Sequence, residues 1–402
     1  MKTVAVISEY DPFHRGHMRH ISEIRREFGD DTAIIAIMGG DFTQRGELAA
    51  SDAFTRAEAA VAAGVQLVLK IPFPFSSSSA QFFAQAGVSI ADRLGVVDVL
   101  SFGSESGDLD ALSLVAKRTS SEQYLSAISA NEYRAEGHAK TAQAVYRRLY
   151  GDGDAALLAS PNDTLAIEYL RALLAADSSI TPHTVKRAGA HGAHTLSHDT
   201  LPSATAIRLA WQAGDFHHTL PYLPEASAEV FLREFESGNL PVDQNRLSSV
   251  VLTFLRSILP QEEIKHPAED GGGLYRRICN KAEDAPDLSS VITASATKKY
   301  TTARIRRLIW YALFGITSSA LREKPAYAQI LALDGVGASL LRRIRRQGSI
   351  ELLTKPADYR CLSPEAVRQA ELDLRAERLY FLAKPVVRRG DSPLRRTPHR
   401  KG

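Results

Sequence analysis

The sequence predicts an α/β protein: a doubly wound parallel sheet followed by a mainly helical C-terminal domain. Three observations carry that expectation. The first hundred residues alternate β-branched apolar runs with stretches of helical periodicity, as parallel strands joined by crossover helices do. From about residue 108 the period becomes helical. The length, 402 residues, exceeds what one small core accommodates, so more than one domain is expected.

The first strand is Thr3 to Ser8, followed by a helix over Met18 to Phe28 and a strand over Thr32 to Met38. A helix over Asp52 to Ala63 starts with Asp52 as its cap and carries Phe54, Ala57 and Val61 as an apolar stripe. A strand over Val65 to Ile71, a helix over Ala80 to Leu94 and a strand over Val97 to Phe102 complete the alternating part. A helical insertion runs from Asp108 to about Ala176, then a short strand from His183 to Ala188. Ser203 opens a helix whose apolar side is Ile207, Ala210 and Trp211. Beyond Gly214 no strand is predicted, only helices broken at Pro260, Pro267 and Gly271-Gly272-Gly273. The expected division is therefore residues 1–214, a helical domain over 215–387, and a basic mobile tail over 388–402.

Hydrophobic residues at 44% and charged residues at 24% describe an ordinary water-soluble globular protein. The two cysteines, Cys279 and Cys361, have neither zinc-ribbon nor disulfide-framework spacing, which fits a reducing compartment. Met1 to Ile7 lacks the pattern of a signal peptide. The longest uncharged run, Ile71 to Ala91, holds two prolines, five serines and two glutamines and makes a poor bilayer span. A cytoplasmic protein with no membrane partner is expected, and no protein partner is evident.

The net charge of +3 hides a polarity. Residues 294–348 carry eleven Lys or Arg against two acidic residues, a net of +9; residues 387–402 add +5, leaving −11 for the remainder. So lopsided a segment points to a phosphate backbone, with Lys298, Lys299, Arg304, Arg306 and Arg307 as first RNA contacts. Helical spacing puts Ile305, Leu308, Ile309 and Ala312 on a buried side and Arg304, Arg307 and Tyr311 on a separate basic side. Gly335-Val336-Gly337 reads as a hairpin turn into a second helix that binds the RNA backbone, Leu340 to Arg346.

The loop after the first strand, Glu9-Tyr10-Asp11-Pro12-Phe13-His14-Arg15-Gly16-His17, runs straight into a helix. In an open parallel sheet that place binds ligands, and a helix N-terminus offers N–H groups to a phosphate. Gly16 permits close approach, and His14 and His17 can donate to one anion. With His20 they span nearly two turns and do not converge on a metal ion. His191, His194 and His198 read as a solvated substrate loop, so no metal site is expected.

His14-Arg15-Gly16-His17 is the H-x-G-H motif of a nucleotidyltransferase superfamily with a Rossmann-like sheet. The chain further contains Met38-Gly39-Gly40-Asp41-Phe42-Thr43-Gln44-Arg45-Gly46-Glu47, Phe102-Gly103-Ser104-Glu105, Ser160-Pro161-Asn162-Asp163, Lys186-Arg187, Ser203-Ala204-Thr205-Ala206-Ile207-Arg208 and Lys298-Lys299-Tyr300-Thr301-Thr302-Ala303-Arg304-Ile305-Arg306-Arg307. In that order they resemble the tRNA(Met) cytidine acetate ligase family over nearly the whole chain. The resemblance implies an enzyme that forms acetyl-adenylate and pyrophosphate from ATP and acetate, then acetylates N4 of the wobble cytidine of elongator tRNA(Met). It implies an ATP site of Ile7, Ser8, Glu9, Tyr10, Asp11, Pro12, Phe13, His14, Arg15, Gly16, His17, Met18, Arg19 and His20 with Gly103, Asn162, Lys186, Arg187, Ser203 and Thr205. It further implies His14, His17 and Arg187 as catalytic residues, and Gln44 and Arg45 are expected to line the acetate or cytidine pocket.

Mg2+ is expected with ATP, without nominated ligands. On local sequence alone Ser203 and Asn162 also read as plain helix starts, and Gln44 to Glu47 as an exposed loop. Two positions depart from the family pattern: Asp41 stands where asparagine is common, and Lys70 where an acidic residue often precedes the proline. Without the resemblance, the residues leave open a small-molecule nucleotidyltransferase and a non-catalytic, ATP-sensing RNA-binding protein.

Overall fold

The computed structural model describes residues 1–130, 138–187, 203–258, 267–388 and 396–401. The chain begins β1 (Thr3–Ser8), α1 (Arg15–Phe28), β2 (Ala33–Gly39), α2 (Ala53–Ala62), β3 (Leu67–Ile71), α3 (Ala80–Arg93) and β4 (Val99–Ser104). Next come α4 (Leu109–Thr119), α5 (Glu122–Ala130), α6 (His138–Tyr150), α7 (Pro161–Ala175), β5 (Thr181–Lys186) and α8 (Ala204–Gln212). A helical run follows: α9 (Glu225–Glu236), α10 (Ser248–Thr253), α11 (Leu274–Ala282), α12 (Leu288–Ser295), α13 (Thr302–Phe314) and α14 (Ser318–Arg322). The rest is β6 (Tyr327–Leu333), α15 (Gly335–Gln347), β7 (Glu351–Leu353), α16 (Pro364–Phe381) and β8 (His399–Arg400).

The strands form one sheet in the order β5-β4-β1-β2-β3-β6-β7, with β8 beside β6. β1 to β5 are parallel to one another, and β6 runs antiparallel to β3. Parallel strands covered on both faces must be apolar throughout, and every residue of β2, Ala-Ile-Ile-Ala-Ile-Met-Gly, is buried. Ile35 and Ile37 face one layer with α3, α7 and α15; Ile34, Ala36 and Met38 face the other with α1, α2 and α9. A third core joins α10 to α13 with α16 and takes in Phe42 and Phe73 from loops at the sheet's edge.

Three expectations are corrected. Strands do occur beyond Gly214: β6, Tyr-Ala-Gln-Ile-Leu-Ala-Leu, is a short apolar run flanked by helices, which periodicity alone cannot tell from a buried helix turn. Because β6 hydrogen-bonds to β3, the sheet itself crosses the division drawn at residue 215. The tail is also not free at its end. Arg396 pairs with Asp52 at 2.6 Å, the Lys401 N–H donates to the Leu333 carbonyl at 3.0 Å, and β8 pairs with β6. Residues 389–395, Ala188, the loop with His191, His194 and His198, and Pro260 lie outside the described residues. No described helix is long and apolar enough to cross a membrane.

Candidate active site

The order of strands reverses direction at β1, whose neighbours are β2 on one side and β4 on the other. Such a switch point opens a crevice at the carboxyl ends of the strands. Into it run the loop 9–14 and the first turn of α1, which begins at Arg15, earlier than predicted, because His14 itself takes the N-cap position.

The histidine geometry fixes their chemistry. His14 Nδ1 accepts the Gly16 N–H at 2.9 Å, and His17 Nδ1 accepts the His14 N–H at 3.2 Å. With each Nδ1 occupied as an acceptor, the neutral rings carry their protons on Nε2 and present N–H donors. The rings lie 3.9 Å apart, centre to centre, and His17 also meets the edges of Tyr10 at 4.9 Å and Phe13 at 5.5 Å. Burial, then the charges of Arg187 and Arg208, hold His14 down to about 3. Burial, then His14 and Arg187, keep His17 well below the ordinary histidine value. Gly16 is required at its place, since a Cβ there would stand 2.6 Å from His14 Cε1.

Around this pair the predicted residues divide. Ile7, Tyr10, Asp11, Pro12, Phe13 and His14 are buried, Phe13 and Tyr10 within the core that holds α1 and α2. Ser8, Glu9, Gly16, His17, Met18 and His20 are half-buried, and Arg15 and Arg19 are exposed. Arg187 follows β5 directly, its N–H on the Ser104 carbonyl at 2.9 Å and its side chain passing over Gly103. Its charge reaches His14, His17 and His20. Lys186 is exposed. Asn162 donates through Nδ2 to Glu105 Oε1 at 2.6 Å, within a staple in which Glu105 also accepts the Asp163 N–H and Asp163 accepts the Glu105 N–H at 2.8 Å. Ser203 is the N-cap of α8 and accepts the Ala206 N–H. Thr205 meets Arg208, which donates to the Asp11 carbonyl at 2.8 Å and faces Glu47 at 3.5 Å.

Gln44 is half-buried and Arg45 exposed, on a tight loop closed by the Phe42–Leu48 bridge. The Gln44 N–H donates to Glu9 Oε1 at 2.7 Å, joining the loop to the end of β1. From the other side α13 grips it: Arg307 donates to the Gln44 carbonyl at 3.1 Å and Trp310 Nε1 to the Gly46 carbonyl at 2.7 Å. This overturns the separate basic side expected for α13, because Arg307 and Tyr311 are buried. Arg307 forms a bidentate pair with Glu269, Arg304 donates to the Glu269 carbonyl at 2.6 Å, and Arg306 pairs with Glu47 at 3.1 Å. Of the five predicted RNA contacts, only Lys298 and Lys299 are exposed.

Sequence reasoning missed Arg56. It is 0% exposed on α2 and donates to the carbonyls of Glu9, Gly39, Gly40 and Ser51, so one guanidinium ties the carboxyl ends of β1 and β2 together. In the sequence it reads as an ordinary helix charge, and no local signal marks it. The two departures also find partners. Asp41 Oδ1 accepts the Ala53 N–H at 2.7 Å, a bond an asparagine oxygen makes equally well. Burial, then the neighbouring Asp52, push its carboxyl up. Lys70 is buried between Asp373, at 2.6 Å, and Glu377 on α16.

A profile of the HIGH nucleotidyl transferase family matches residues 1–392. A tRNA(Met) cytidine acetate ligase of Caldanaerobacter subterraneus subsp. tengcongensis is 33% identical over 388 residues, 95% of this chain and 96% of that one. One of Alkaliphilus metalliredigens is 33% identical over 402 residues, covering 95% and 94%. The crystal structure of Thermotoga maritima TmcAL without ligand superposes with a TM-score of 0.92 at 29% identity over the whole of both chains. The same protein with alpha-thio ATP bound gives 0.91 at 28% identity, covering 100% of this chain and 99% of that one. This chain, with its H-x-G-H loop at the sheet's switch point, thus belongs to the HIGH nucleotidyl transferase family, with the tRNA(Met) cytidine acetate ligases.

Proposed function

We propose that this protein activates acetate with ATP and acetylates N4 of the wobble cytidine of elongator tRNA(Met). The observation that carries the reading is the pair of neutral histidines with Nε2–H donors beside Arg187 at the switch-point crevice. In the first step an acetate oxygen bonds to the α-phosphorus of ATP, and the Pα–O bond to pyrophosphate breaks, its electron pair leaving with pyrophosphate. Charge grows on the α-phosphate oxygens as this happens. His14 and His17 donors, fixed in advance by their backbone partners, are worth most at that moment. Arg187 supplies the cation. In the second step the cytidine N4 attacks the acetyl carbonyl, AMP departs and the amine loses its proton.

The loop of Gln44 and Arg45, held between Glu9 and α13, is proposed to place acetate or cytidine against the activated group. Asn162, Ser203 and Thr205 sit at helix starts and shape the nucleotide side, and residues 215–387 carry the RNA. Mg2+ enters as the partner of ATP; among the described residues no group of three His, Cys, Asp or Glu side chains stands ready to hold an ion.

The test is to incubate the protein with ATP, labelled acetate and total tRNA and to look for labelled acetylcytidine. Pyrophosphate exchange should require acetate, and His17→Ala should lower it roughly 10²–10³-fold, as loss of one preorganised donor does. Exchange that proceeds without acetate, or RNA that stays unlabelled, refutes the proposal.

A further inference from the structure

With Arg304, Arg306 and Arg307 committed to Glu269 and Glu47, exposed arginines are found instead on α15. Helix α15 has no acidic residue, and Arg342, Arg343, Arg345 and Arg346 are all exposed. Gly337, Leu340, Leu341 and Ile344 are its buried stripe, on the same core layer as α3 and α7. At 3.6 residues per turn that stripe covers about 100° of the helix, and the four arginines cover about 160° centred directly opposite. Among the described residues none of the four pairs with a carboxylate; Arg345 alone has a polar partner, Thr354 at 3.4 Å.

A favourable interaction with the helix dipole accounts for Arg345 and Arg346 in the last turn, but not for Arg342 and Arg343. The helix is also fixed. Asp334 caps it, and Gly337 packs so closely on β3 that a Cβ would stand 2.0 Å from the Gln66 carbonyl oxygen. Four guanidinium groups without a carboxylate partner are thus presented together by a fixed helix, and the polyanion that matches such an array is a nucleic-acid backbone.

We propose that the outer face of α15 is a phosphate-backbone surface that holds the body of the tRNA while the crevice at β1 and β4 performs the chemistry. This rests on the acetate-ligase reading, and the experiment separates the two. Arg342→Glu/Arg343→Glu/Arg346→Glu is compared with the wild type and with the corresponding triple Lys variant. Binding to tRNA is measured between about 50 and 200 mM KCl, and acetate-dependent pyrophosphate exchange is measured without tRNA.

The Glu variant should bind tRNA at least about tenfold more weakly. Its slope of log affinity on log salt should be shallower by about 2, at roughly 0.7–0.9 for each phosphate no longer neutralised, and its exchange within about twofold of wild type. The Lys variant should retain most of the salt slope, since charge and not fork geometry carries this term. If the wild type exchanges and binds tRNA but the Glu variant keeps its affinity and slope, the α15 assignment fails alone. A Glu variant that loses adhesion to phosphatidylserine vesicles and not to tRNA overturns it as well. A wild type that shows no acetate-dependent exchange overturns the reading beneath it.

Discussion

In His14 and His17 the backbone decides which ring nitrogen carries the proton. Two main-chain N–H groups occupy the two Nδ1 atoms, which leaves the protons on Nε2. The spelling His-Arg-Gly-His marks the pair in the sequence, but the protonation state depends on burial and on the approach of Arg187 from β5, far along the chain. His20, one turn on, shows the same effect in a testable form. Its Nε2 bonds Ser101 Oγ at 2.8 Å, and Ser101 bonds His183 Nδ1 at 3.0 Å. Burial, then the charge of His183, hold it down to about 4. In the unfolded chain it titrates near its ordinary value of about 6.5, so between those values the unfolded state binds a proton that the folded state refuses. Stability is therefore present above about pH 6.5 and is lost as pH falls toward about 4. His20→Gln should flatten the decline in melting temperature between about pH 7 and 5; an unchanged slope contradicts the assignment.

At the scale of elements, α13 is where sequence and structure part most instructively. Its arginines read as an RNA-binding side because helical spacing separates them from Ile305, Leu308 and Ile309. Spacing says which residues share a side and is silent on whether that side meets water. Here the opposite side meets Glu269 and the Gln44 loop, so the helix is a support for that loop. Arg307→Leu should then impair acetate-dependent pyrophosphate exchange, a step without RNA, by roughly tenfold or more through misplacement of that loop. It should also destabilise the fold by about 3–5 kcal/mol in urea unfolding, because Glu269 is left without its buried partner. The salt slope of tRNA binding should not move; a slope reduced by about 1 would restore Arg307 to the RNA surface. α2 offers the converse case. Asp52 was legible as its cap, yet that carboxylate is also gripped by Lys384 at 3.0 Å and Arg396 at 2.6 Å, which no local pattern announces.

Across the whole molecule, buried charge pairs clamp the two halves of the chain together. Lys70 at the end of β3 meets Asp373 and Glu377 on α16, and Asp52 meets Lys384 and Arg396. Lys70→Met should destabilise by about 3–5 kcal/mol in urea unfolding, because two acids are left buried without their cation. Adding Glu377→Gln should recover part of the loss, since Asp373 keeps the Phe73 N–H at 3.0 Å and the Tyr327 hydroxyl at 2.8 Å; no recovery would mean that Lys70 acts otherwise than through these acids. What the sequence by itself determined is the alternating α/β framework, the H-x-G-H loop between first strand and first helix, the helix caps and the segregation of charge. Each of these is written in neighbours a few positions apart, where periodicity and capping operate. Only the tertiary structure decided that β6 joins β3, that Arg56 binds two strand ends, and that the free arginines belong to α15 and not α13. Those outcomes depend on partners from 16 to more than about 250 positions away, such as Gly40 for Arg56 and Leu333 for Leu67, and burial by such partners leaves no trace in local spacing.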